Sequence, residues 1–170
     1  MVLKLNRRTA FCIGAFMLCA VCLGAAPQAL AQFGGVGASP SSALSIPTGD
    51  TMQAGDLAKM LAGPTAARPL ILQVGSHLFF AQAHIPGSVF AGPGSQPAGL
   101  ELLARKVAGV KKDKLIVLYC GCCPWGRCPN VAPAYKQLRE QGFTRGKVLY
   151  LANNFDDDWV GKNLPVERGE

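Results

Sequence analysis

Four cysteines fall within the nine positions from 120 to 128, in the segment Tyr119-Cys120-Gly121-Cys122-Cys123-Pro124-Trp125-Gly126-Arg127-Cys128-Pro129-Asn130. The thiolate is the nucleophilic and metal-binding form of cysteine. It is favoured near backbone N–H groups, at a helix N-terminus or beside a fixed cation. The segment offers each of these. Gly121 and Gly126 leave the backbone bare, and Arg127 is the one fixed cation. Pro129 suits the first turn of a following helix, where its missing N–H costs nothing. Cys120 follows the apolar run Leu115-Ile116-Val117-Leu118-Tyr119, so it is read as the nucleophile at the end of a strand. Arg127 would favour the thiolate and bind an anionic oxygen substrate. The set suits nucleophilic sulfur chemistry on a small anion.

The rest of the cysteine count belongs elsewhere. The chain has 170 residues, 49% of them hydrophobic and 16% charged, with seven cysteines and a formal charge of +7. Residues 1–31 hold Cys12, Cys19 and Cys22, and Lys4, Arg7 and Arg8 without an acid. The basic start, the apolar run from Ala10 to Ala26 and the small-residue site Ala29-Leu30-Ala31 read as a secretory signal cleaved before Gln32. The expected location is periplasmic or secreted, with no stable membrane insertion after cleavage. Gln32 to about residue 49 is rich in Gly, Ser and Pro and reads as a flexible linker. One domain from 50 to 170 then carries a charge of about +4, the 14 remaining bases less 10 acids. That balance calls for no nucleic acid. Lys111, Lys112 and Lys114 are its one basic run and read as a solvated turn.

The elements that must position the cysteines alternate along the domain. Leu57, Met60 and Leu61 give a short helix ending near Gly63-Pro64. Pro69 to Val74 is a strand of the kind buried on both faces. A helical stretch around Leu78–Gln82 and a small strand at Ser88–Phe90 follow. Leu100, Leu103, Ala104 and Val107 repeat at helical spacing, and Leu115–Tyr119 is the strongest strand. Val131, Ala134, Tyr135 and Leu138 form another helical face, closed by Gly142. Lys147–Leu151 is the last clear strand. Strands separated by such helices imply an α/β fold with a central parallel sheet and helices on both faces. Ligands in such sheets sit beyond the carboxyl ends of the strands, where Cys120 stands.

With these residues in view, the chain resembles the rhodanese-like domain family over about residues 50–168. Leu115–Cys120, the loop, a helix and Gly142-Phe143 look like that family's active-site region. Ala83-His84-Ile85-Pro86-Gly87-Ser88 resembles its Gly-His-Ile-Pro-Gly-Ala segment. Asn153-Asn154-Phe155, Trp159 and Leu164-Pro165-Val166-Glu167 are similar to its closing segment. The resemblance implies a rhodanese-like α/β fold. It also implies that Cys120 cycles through a persulfide, cradled by the loop Gly121, Cys122, Cys123, Trp125 and Gly126, with Arg127 helping to bind a small sulfur-containing anion such as thiosulfate as donor, and a thiol as acceptor. Three departures stand out. Arg127 lies seven positions after Cys120, in a loop lengthened by about five residues relative to the family. Gln73-Val74-Gly75 replaces the usual Asp-Val-Arg, and Asn153-Asn154 replaces a Gly pair.

Cys122, Cys123 and Cys128 leave several readings open. They could accept or resolve a persulfide or disulfide from Cys120, or form a structural disulfide in an oxidising compartment. Four cysteines allow three pairings, of which Cys123–Cys128 closes the most relaxed loop. Cys120, Cys122, Cys123 and Cys128 could instead hold a metal on an inactive scaffold. Their spacing is too compressed for the usual zinc knuckle, although zinc or a soft ion such as Cu(I) would take thiolates. A non-catalytic interaction domain is the third reading. His84 reads as a turn-stabilising group and His77 as unremarkable. Trp125 fits a lid over the thiol or loop packing equally well. Asp156–Asp158 lacks the alternate spacing and distal glutamate of a calcium loop and reads as solvated. No Ser–His–acid set, phosphate loop or dinucleotide fingerprint is present, so no cofactor is expected.

Overall fold

The computed structural model describes residues 46–170; the stretch read as a secretory signal, and that read as a linker up to residue 45, lie outside the described residues. The chain runs through β1 (Thr51–Gln53), α1 (Ala54–Ala62), β2 (Leu70–Gln73), α2 (His77–Gln82), β3 (Val89–Phe90), α3 (Pro97–Lys106), β4 (Ile116–Tyr119), α4 (Val131–Glu140), β5 (Gly146–Tyr150) and α5 (Phe155–Asp158). All five strands pair in parallel, in the order β1-β5-β4-β2-β3. The strongest apolar run thus takes the central position. Register aligns Gln73 with Tyr119 and Leu118 with Val148. The sheet is the parallel α/β arrangement that the alternating pattern implied.

Helices cover both faces, and the two-residue period of β4 sorts its side chains between them. Ile116, Leu118 and Cys120 join Leu103 and Val107, at the end of α3, and Val131, Ala134, Tyr135 and Leu138 of α4. Val117 and Tyr119 point the other way, to Ala54, Leu57 and Leu61 of α1 with Ile85 and Trp159. Cys120 therefore belongs to the face that α4 covers, and the cysteine loop leads directly into that helix. Helix α4 ends where Gly142 adopts φ of +85°, the left-handed turn expected of a closing glycine.

Two elements lie outside the sequence pattern. Strand β1 is a half-exposed edge of three residues, Thr-Met-Gln, without apolar alternation, and its pairing with β5 holds it. Helix α5 covers the aspartates read as a solvated loop. Asp156 and Asp157 are exposed, but Asp158 is buried and structural. Residues 46–49, placed by composition in the linker, already meet the domain: Ile46 packs on the α3/α4 face and the Gly49 carbonyl accepts from Lys147. Among the described residues no helix is long and apolar enough to cross a membrane.

Candidate active site

The sulfur of Cys120 sits at the carboxyl end of β4 in a residue only 4% exposed. Four neighbours define its surroundings. Cys122 Sγ lies 3.2 Å away, and the Asn130 Nδ2 amide donates to the sulfur at 3.3 Å. Cys128 completes a group in which the sulfurs of Cys120, Cys122 and Cys128 all lie within 4.8 Å of one another. Gly75 closes the side towards β2, so near that a Cβ built on it would stand 2.8 Å from the sulfur.

Asn130 is the residue of this group that the sequence reading did not single out. It precedes α4 and is of the type preferred as a helix N-cap. Its side chain makes no capping bond. The Oδ1 instead accepts from the amide and hydroxyl of Ser95, at 3.1 and 2.8 Å. With Oδ1 engaged by two donors, Nδ2 is turned to the sulfur as a fixed N–H donor. An asparagine just after Cys-Pro at a helix start was the available signal, but its partner Ser95 lies 35 positions away.

Gln73 and Gly75 stand where the family usually has Asp and Arg, and the structure shows what they do. Gln73 is buried and bridges the two strands: its Nε2 donates to the Cys120 carbonyl at 3.3 Å, and its Oε1 accepts from the Gly75 amide at 3.1 Å. This pins the ends of β2 and β4 together at the site.

The loop after Cys120 is shaped by Gly121, whose φ is +80°. A Cβ there would meet Phe155 Cβ at 2.6 Å, and the Gly121 carbonyl accepts from the Phe155 amide at 3.0 Å. Trp125 packs on Tyr150, ring centroids 5.0 Å apart, and its amide donates to Ala152. Of the two readings for Trp125, loop packing is the one with an observed partner. Arg127 is exposed, its amide donates to Pro124, and no side-chain partner is found for it among the described residues. Gly126 is exposed in the same turn.

The Cys128 thiol is pushed up, first by the neighbouring Cys120 sulfur and then by burial. Cys122 is pushed up to about 12, chiefly by burial, with the Cys123 hydrogen bond adding to it. Both are therefore neutral thiols near neutral pH. Cys123 Sγ is 2.8 Å from Cys122 Sγ and stands outside the three-sulfur group. The four cysteines are free thiols. The sulfur pairs at hydrogen-bond distance are Cys120/Cys122 and Cys122/Cys123.

Beside the group, a cleft of about 550 Å³ opens on Gly121 and Cys122 and is bounded by Phe79, Asn154, Phe155 and Arg168. Its cation is Arg168, which the sequence reading passed over, with Asp156 on the same wall. Arg168 is brought there by the closing segment. His84 and Glu167 exchange backbone bonds at 2.9 Å each, and the Gly169 amide donates to Ala81. The histidine ring stacks on Phe80 at 4.0 Å while Nδ1 donates to the Phe80 carbonyl at 2.8 Å. His84 is thus the turn-stabilising group expected of it. His77 is half-exposed and faces Glu170 at 3.0 Å. Tyr119 reinforces the turn at 84–88: its hydroxyl accepts from the Ile85 amide and meets the Ser88 hydroxyl at 3.1 Å.

Comparison with known proteins agrees with this picture. Residues 53–157 match the model of the rhodanese-like domain family. Curated proteins gave no match. Among solved structures, the rhodanese-like domain of the Alr3790 protein from Anabaena is 21% identical, with a TM-score of 0.51 over 70% of this chain and 79% of that one. The BH2092 protein from Bacillus halodurans is 22% identical, with a TM-score of 0.53 over 69% and 76%. EanB, solved as a cysteine persulfide with ergothioneine, is 19% identical with a TM-score of 0.50, covering 69% of this chain and 28% of EanB. At such identities these structures speak for the fold. The family match spans well over half of the chain, which belongs to the rhodanese-like domain family.

Proposed function

We propose that the protein is a sulfurtransferase or thiol-exchange protein in which Cys120 carries a persulfide and Cys122 relays sulfur at the cleft. The observation that carries this reading is the 3.2 Å separation of the two sulfurs, one buried at the end of β4 and the other lining the cleft. In the first step the Cys120 thiolate attacks the sulfane sulfur of a small donor such as thiosulfate. The donor's S–S bond breaks and sulfite leaves with the electron pair, so Cys120 becomes a persulfide. In the second step an external thiolate attacks the outer sulfur, or Cys122 does so as its thiol proton passes to the departing Cys120 sulfur, and Cys120 leaves with the electron pair. Each step exchanges one S–S bond for another, so no external oxidant or reductant is needed. The Asn130 amide supports the sulfur's negative charge, and Arg168 supplies the positive charge beside the cleft. That EanB is captured as a cysteine persulfide supports the same class of chemistry.

Intact-mass measurement of reduced protein before and after thiosulfate or polysulfide tests the reading. One added sulfur atom is expected in the native chain and none in Cys120→Ser. A persulfide that still forms in Cys120→Ser would remove the role given to that residue. The same spectrum reads export, which the basic start, apolar run and Ala29-Leu30-Ala31 site support: material recovered from the periplasm should begin at Gln32.

A further inference from the structure

Cys120, Cys122 and Cys128 are more than a nucleophile with two neighbours. Their three sulfurs lie within 4.8 Å of one another, and none is joined in a disulfide. A metal bound to three sulfurs at ~2.3 Å in a plane would space them roughly 4.0 Å apart, so the Cys120 and Cys122 sulfurs, 3.2 Å apart without it, would open by about 0.8 Å. The ligand atoms of the group are all sulfur; no imidazole or carboxylate belongs to it among the described residues. The fourth direction around Cys120 is closed by Gly75 on one side and by the Asn130 amide at 3.3 Å on the other. The negative charge of a thiolate set is met by the Asn130 side-chain amide on Cys120, beside the start of a ten-residue helix. Cys123, although 2.8 Å from Cys122, is not part of the group.

The geometry points to a three-coordinate site for one Cu(I) ion on Cys120, Cys122 and Cys128. A thiolate-only set selects soft ions, and three ligands without a fourth suit Cu(I) better than zinc, whose structural sites close at four. Binding forms three metal–sulfur bonds and releases the thiol protons to solvent, with no change of oxidation state. Because the site includes the Cys120 sulfur, bound copper and sulfur transfer exclude one another.

The test uses the full chain with Cys12→Ser, Cys19→Ser and Cys22→Ser, so that only the loop thiols remain. Reduced protein is titrated anaerobically with Cu(I) against a chromophoric Cu(I) chelator, and X-ray absorption counts the sulfur neighbours. The expected result is one copper per chain with three sulfur neighbours, unchanged by adding Cys123→Ser. Copper is expected to be lost on adding Cys122→Ser or Cys128→Ser, with circular dichroism reporting that the fold persists. Cys122 is half-exposed on the loop, so its variant keeps the test open if Cys128→Ser does not fold. Copper retained in both ligand variants, copper that requires Cys123, or Zn(II) held as tightly as Cu(I) would overturn the assignment. So would failure to hold copper against the chelator. The titration contains no sulfur donor, so it reads the same whether or not Cys120 accepts sulfur. Thiosulfate added afterwards should leave the copper-loaded chain without the added sulfur atom that the apo chain gains.

Discussion

Gly75 lies so close to the Cys120 sulfur that any side chain would have to displace it. An added Cβ would stand 2.8 Å from that sulfur, 2.9 Å from Gln73 Nε2 and 3.2 Å from the Cys120 carbonyl. Neither strand end can retreat freely, because Gln73 bonds both. Gly75→Ala is therefore expected to cost about 1–3 kcal/mol, as overpacking of a close-packed site does. It should also slow sulfur uptake by Cys120. Gly55, in α1, has nothing within 4 Å of its added Cβ, so Gly55→Ala should stabilise by roughly 0.5–1 kcal/mol. Urea unfolding of both variants checks the pair; equal stabilities would mean that the crowding at Gly75 is not real. At this scale the position of Cys120 was legible, because an apolar run of strand length ends on a thiol. Asn130, Gly75 and Arg168 were not, since each acts through contacts made across strands, or by a segment placed only once the sheet has formed.

Helix α5 shows how an element of four residues can matter to a site it does not contain. Its Phe155 amide and ring brace Gly121, where the cysteine loop begins. The helix itself is held at both ends. Asn154 Oδ1 accepts from the Asp157 amide at 2.8 Å, and buried Asp158 accepts from the Asn153 amide at 2.6 Å and faces Lys162 at 3.4 Å. Asp158→Ala leaves that amide without its acceptor, and a loss of about 1–3 kcal/mol is expected. The loosened brace should speed alkylation of Cys122, measured by mass under non-denaturing conditions. An unchanged alkylation rate in a destabilised variant would separate α5 from the loop. The longer elements were legible from period and length: β2, β4 and β5 are apolar runs, and α1, α3 and α4 repeat at helical spacing. Strand β1 and helix α5 were not, because Thr-Met-Gln and Phe-Asp-Asp-Asp carry no period, and their structure comes from β5 and from caps that tertiary contacts complete.

Across the whole molecule, buried ionisable groups fasten both faces of the sheet, and their shifts define a pH window. Asp50, beside β1, accepts from the Tyr135 hydroxyl of α4 and faces Lys147 at 3.3 Å. The Tyr135 bond, with Lys147, holds its carboxyl below the ordinary 3.8. Burial would raise Asp158, but the Asn153 amide and Lys162 outweigh it, and it too lies below 3.8. A carboxylate with a depressed folded pKa adds stability that is present above its unfolded value and lost as pH falls through the folded one. The acid limb should therefore begin near 3.8 and continue below it. The alkaline limb has the opposite cause. Burial raises Tyr119 from 10.0 to about 12 and Cys122 from 9.0 to about 12, so both stay neutral in the fold while the unfolded chain ionises. The unfolded state then binds fewer protons, and stability falls as pH rises above 9.0. Urea midpoints measured from about pH 3 to about pH 11 should show a plateau with a fall at each end. Tyr135→Phe should flatten the acid limb by removing the bond that depresses Asp50, and Cys122→Ser should flatten the alkaline one. A midpoint that rises between pH 9 and 11, or an alkaline limb indifferent to Cys122→Ser, would show that the half-buried thiol is not held neutral by the fold.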